Sequence, residues 1–146
     1  LMNIQARFLF ETRFYEERKE GFVSAERLGE LMLEAQKEAY GDAFEEYHPL
    51  FWASKLHFFI TSVPFYNFPY TFGFLFSLGI YGRALESEAG FEEKYIELLK
   101  DTGSMTVEEL AAKHLQEDIT TKDFWAKAIR SCEKDIDLFL QLTETK

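Results

Sequence analysis

The chain has 146 residues, 47% hydrophobic and 29% charged, a balance that excludes a disordered chain and suits a single compact domain with a real core. Acidic residues outnumber basic ones 26 to 16, for a formal net charge of −10, which argues against a nucleic-acid surface because that would need a basic patch. The single cysteine, Cys132, leaves no internal disulfide to form and fits a reducing, cytoplasmic setting.

Helical periodicity dominates from the first residues. Ile4, Phe8, Phe10, Phe14 and Tyr15 fall roughly on one side of a first helix that ends near Gly21. Ser24 is a candidate N-cap for a second, with Leu28, Leu31, Met32 and Ala35 inward and Gly41 as its stop. An acidic link leads to His48-Pro49, where proline suits the first turn of a third helix through Trp52, Leu56 and Phe59. Residues 62–69 read as irregular, and a fourth helix runs from about Tyr70 to Glu86. Gly73, Ser77, Gly79 and Gly82 within it are expected to permit close helix approach, since helical glycine otherwise costs about 1 kcal/mol against alanine. Gly90 opens a fifth helix with Phe91, Tyr95, Leu98 and Leu99 inward. Thr106-Val-Glu-Glu109 has capping-box spacing and starts a sixth through Leu110 and Leu115. Thr120 or Thr121 caps the last, with Phe124, Ala128, Ile136, Phe139 and Leu140 available to the core. No strand alternation appears, so the expected fold is all-α, with six or seven helices in one domain over residues 1–146.

Residues 56–82, LHFFITSVPFYNFPYTFGFLFSLGIYG, contain no Asp, Glu, Lys or Arg. A run of this kind is expected to be buried, because apolar surface in water costs about 25 cal/mol per Å². Burial in lipid is disfavoured: Pro64 and Pro69 break the helix ladder, and the uninterrupted residues 70–82 are too short to span. Residues 1–20 carry charge throughout and do not read as a secretory signal. The helical start directly at Leu1 and the 16 phenylalanines together suggest a piece of a larger protein whose remainder covers some of these rings.

Few residues offer chemistry. None of His48, His57 and His114 begins a His-Glu-x-x-His pair, which places two imidazoles one helical turn apart for zinc. Glu45-x-x-His48 has di-iron spacing but no second copy. Cys132 lies beside Glu133, which disfavours a thiolate. What remains is His57 with Tyr66 and Tyr70 in an otherwise apolar segment. They read either as ordinary half-buried residues with satisfied polar ends or as donors to a carbonyl and its tetrahedral intermediate. Asn67, between the two prolines, either bonds a substrate backbone or serves its own turn.

HPLFWASKLHFF at 48–59, PFYNFPYTFGFLFSLGIY at 64–81 and KYIELLKDTGSM at 94–105 resemble the C-terminal region of oligoendopeptidase F, in the thimet-oligopeptidase-like zinc metallopeptidase family. The similarity extends from QARFLFETRFYEER at 5–18 to the segments DFWAKAI and FLQLT, and its specific part is PFYNFPYTFG with the preceding histidine. The resemblance implies the C-terminal helical part of a zincin-type catalytic lobe, from a cytoplasmic enzyme that cuts short peptides in a channel. In that family a His-Glu-x-x-His helix and a later glutamate hold zinc, whose bound water attacks the scissile carbonyl. A later histidine and tyrosines bind substrate and stabilise the oxyanion. By position His57 and Tyr66 match these catalytic donors; Tyr70, Asn67 and Phe65 are the candidate substrate-binding residues. The zinc motif itself is missing from residues 1–146, so this chain alone is expected to bind no zinc and to be inactive. Its expected partners are short peptides and the rest of the same enzyme, with neither nucleic acid nor membrane, and its aromatic face is a candidate for self-association. The alternative is a non-catalytic peptide-binding or helical assembly module whose groove is formed by Phe58, Phe59, Phe65, Phe68 and Phe72.

Overall fold

The computed structural model describes residues 1–41, 43–87 and 89–144. The fold is all-α: six helices, α1 (Met2–Glu20), α2 (Ala25–Tyr40), α3 (Phe68–Glu86), α4 (Phe91–Asp101), α5 (Val107–Leu115) and α6 (Lys122–Thr143), with no strand among the described residues. The chain divides into two compact units, Leu1–Phe72 and Gly73–Lys146, the division falling within α3.

In the first unit α1 packs on α2 around Phe10, Val23, Leu31, Met32 and Ala35. The α2 boundaries follow from local chemistry. Ser24 Oγ accepts the Arg27 N–H at 3.2 Å, which satisfies one of the donors left free at a helix start. Gly41, at φ 59° and ψ −136°, takes a positive-φ conformation open to glycine that ends the helix, and it donates its N–H to Lys37 O at 2.8 Å. Buried Gln36 then pins the following loop, its Nε2 donating to Met32 O at 3.1 Å and to His48 O at 3.0 Å.

The third helix expected after Pro49 is instead two short 3₁₀ turns, Phe51–Ser54 and Leu56–Phe59, separated by extended Lys55. Tertiary packing overrides the 3.6-residue period here. Trp52 and Phe58 both reach Phe10, with ring centroids 6.5 and 5.0 Å away, whereas Leu56 and Phe59 point to solvent. Helix α3 begins at Phe68, two residues earlier than expected, and none of its residues is buried, contrary to the burial expected of residues 56–82.

In the second unit, Leu98, Leu110, Ala111, Leu115, Ile119, Phe124 and Ala128 are buried. The Thr106–Glu109 capping box forms reciprocally: Thr106 Oγ1 accepts the Glu109 N–H at 3.3 Å, and Glu109 Oε2 accepts the Thr106 N–H at 2.9 Å. Arg83 of α3 donates to Leu115 O at 3.0 Å, satisfying a carbonyl at the α5 C-terminus. Close approach at the α3 glycines occurs only at Gly79, which faces the Phe124 ring; nothing lies within 4 Å of a Cβ built at Gly73 or Gly82. Tyr95, Leu99, Ile136, Phe139 and Leu140, expected in the core, are exposed, and Thr121 precedes α6 without a side-chain cap bond. No helix among the described residues is long and apolar enough to cross a membrane.

Candidate functional site

The first unit brings His57, Tyr66 and Tyr70 together from three neighbouring pieces of chain. His57 stands on the second 3₁₀ turn, Tyr66 on the loop after Pro64, and Tyr70 in the first turn of α3. The His57 imidazole stacks on the Tyr66 ring, centroids 5.1 Å apart and planes inclined by 22°. Tyr70 meets both edge-on, 5.8 Å from His57 and 6.1 Å from Tyr66. His57 Nε2 lies 3.3 Å from the Tyr70 hydroxyl, while its Nδ1 is buried without a partner. Tyr66 and Tyr70 are 42% and 52% exposed, so solvent and any ligand reach these phenols. An imidazole and two phenols in one patch offer several O–H and N–H donors to a single acceptor oxygen.

The loop that carries Tyr66 is held from below. Phe65 sits at φ 57°, a conformation that a bulky residue adopts only when its surroundings compel it. Its backbone N–H donates to Glu11 Oε1 at 2.7 Å, and its ring packs against Phe8 and Tyr15 at 5.8 and 5.3 Å. Two residues on, Asn67 is 1% exposed, and its Oδ1 accepts from the Arg7 guanidinium at 3.1 Å. Burial holds the Arg7 pKa below its ordinary value, against the opposing pull of Tyr40 and Tyr70. Phe65 and Asn67, candidate ligand contacts in the sequence, are therefore turned toward α1, where they shape the loop. Helix α1 thus fixes where Tyr66 projects.

Glu11 was not singled out by the sequence, although a signal was present. Phe8, Glu11 and Tyr15 follow i, i+3, i+7 spacing, so an acidic side chain was inserted into an aromatic stripe. It is 3% exposed, and its Oε2 has no hydrogen-bond partner.

Among the described residues no three His, Cys, Asp or Glu side chains gather as a metal ion would require. A cavity of about 610 Å³ lies in the second unit among Arg83, Glu86, Lys94 and Lys113. Two of its cations are engaged in the fold: Arg83 donates to Leu115 O and Lys113 to Asp101 at 2.6 Å. Comparison with protein-family models, curated proteins and solved structures finds no match to this chain.

Proposed function

We propose that this chain is the substrate-side wall of a cytoplasmic zinc oligoendopeptidase, with the metal half contributed by the rest of the same polypeptide. The observation that supports the reading is the His57–Tyr66–Tyr70 cluster: three hydrogen-bonding rings within 6.1 Å of one another, presented by a loop braced from α1. In this reading the Tyr66 hydroxyl donates to the scissile carbonyl oxygen of a short peptide as negative charge develops there, and His57 Nε2 donates to it on exchanging its Tyr70 partner for the substrate. A donor positioned before the reaction needs no reorganisation when that charge appears. Tyr70, bonded to His57 Nε2, orients the imidazole and lines the path of the peptide. Arg7 and Asn67 act through the loop and do not touch the peptide.

The test is Tyr66→Phe in the full-length protein. Loss of one oxyanion donor lowers kcat roughly ten- to a thousandfold and leaves KM nearly unchanged. Turnover equal to the parent would remove Tyr66 from the mechanism, whereas absence of peptide hydrolysis by the full-length protein itself would shift the reading to a peptide-binding module without catalysis.

A further inference from the structure

A second site in the first unit has a different chemistry. Phe10, Glu11, Phe14, Tyr15, Trp52 and Phe58 line a cavity of about 190 Å³. That is comparable to the roughly 150 Å³ engineered cavity able to hold a benzene ring. Phe59 also lines it and is 57% exposed, so the cavity opens to solvent. Its walls are aromatic apart from Leu28 and one carboxylate. Glu11 spends Oε1 on the Phe65 N–H and leaves Oε2 buried and unpartnered. A buried acceptor without a donor carries a desolvation cost that a ligand could relieve. The Tyr15 phenol stands beside this carboxylate; burial first, then the Glu11 charge and a hydrogen bond to Glu11, raise its pKa above the ordinary value, so a ligand shares the carboxylate with Tyr15.

We infer that this cavity binds an alkylammonium cation, the chemical group of a lysine side chain or a peptide amino terminus, with the ammonium on Glu11 Oε2 and its carbons among the rings. Two features select that class. Aromatic faces attract cations and accept alkyl chains, whereas a buried anion repels anionic ligands. The single free oxygen suits a compact ammonium, while a guanidinium fork needs both carboxylate oxygens for its bidentate pairing. This site is independent of the peptidase reading, because it is read by binding alone.

The experiment titrates the 146-residue chain with n-butylammonium, n-butylguanidinium and 1-butanol, following the Trp52 indole N–H by two-dimensional NMR. Saturable binding of n-butylammonium at least tenfold tighter than either of the others is expected. In Glu11→Gln, which keeps the shape and an acceptor for Phe65, n-butylammonium weakens ten- to a hundredfold while 1-butanol is unchanged. Nα-acetyl-lysine amide binding more tightly than alanine amide identifies the side chain as the natural source; the reverse order identifies an amino terminus. Equal affinity for 1-butanol or n-butylguanidinium in the unaltered chain would overturn the inference, and that comparison holds even if Glu11→Gln does not fold. Unchanged affinity for n-butylammonium in a folded Glu11→Gln would overturn it as well.

Discussion

Two glycines on α3, Gly79 and Gly82, provide a matched test of the second unit. A Cβ built at Gly79 falls 2.2, 2.6 and 2.9 Å from the Phe124 ring tip, where ordinary contact begins at 3.4 Å, so the ring must retreat by more than 1 Å. Phe124 has little freedom to do so: it is 2% exposed and packed against Phe76 and Trp125, at centroid distances of 5.8 and 5.1 Å. Overpacking of this kind costs about 1–3 kcal/mol, and alanine recovers about 1 kcal/mol of helix propensity. Gly79→Ala should therefore lower stability by up to about 2 kcal/mol. Gly82→Ala, with nothing within 4 Å of the new methyl, should raise it by about 0.5–1 kcal/mol. Urea unfolding followed by tryptophan fluorescence reads both as shifts of midpoint at constant m. An upward shift for Gly79→Ala equal to that of Gly82→Ala would show that Phe124 is not seated on α3, and the reasoning would fail.

Thr106→Ala removes the α5 capping box and should cost about 1 kcal/mol, seen as a lower urea midpoint; Thr106→Asn should restore most of it. Asn67→Ala leaves the Arg7 guanidinium without its acceptor and should cost about 1.5–3 kcal/mol. The same change should shift the Tyr66 ring resonances by NMR, because the loop loses its brace. Hydrogen bonds from Lys113 and then His114 hold the Asp101 carboxyl below its ordinary pKa. A carboxylate depressed in the folded state adds stability above its unfolded pKa, and that contribution fades as pH falls through the lowered folded value. Asp101→Asn should thus be less stable than the parent near pH 7 and converge with it below about pH 4, in thermal melts across pH.

What the sequence revealed was mostly what neighbours along the chain decide. The α2 limits at Ser24 and Gly41 and the Thr106–Glu109 box are bonds between residues at most four apart, and all were visible as spacing. The His57–Tyr66–Tyr70 cluster was visible for a related reason. Its members lie within 14 positions, and the intervening prolines leave no room for a long regular element. Distant packing was not legible. Residues 51–59 carry a helical period, yet Trp52 and Phe58 are drawn to Phe10 across more than forty positions, which splits the segment into two 3₁₀ turns. Gly73, Gly79 and Gly82 look alike in sequence, and only the position of Phe124 separates them. Glu11 and Asn67 are polar residues whose roles depend on partners more than fifty positions away. Composition alone assigns such residues to a surface or a ligand.

The central claim, that His57 and Tyr66 serve a zinc peptidase whose metal half belongs to the same polypeptide, is tested most directly by reading the coding sequence upstream of Leu1. The account predicts an open frame continuing into this chain and carrying a His-Glu-x-x-His pair followed by a downstream glutamate. An upstream sequence without that pair in frame would contradict it and leave a peptide-binding or assembly module in its place.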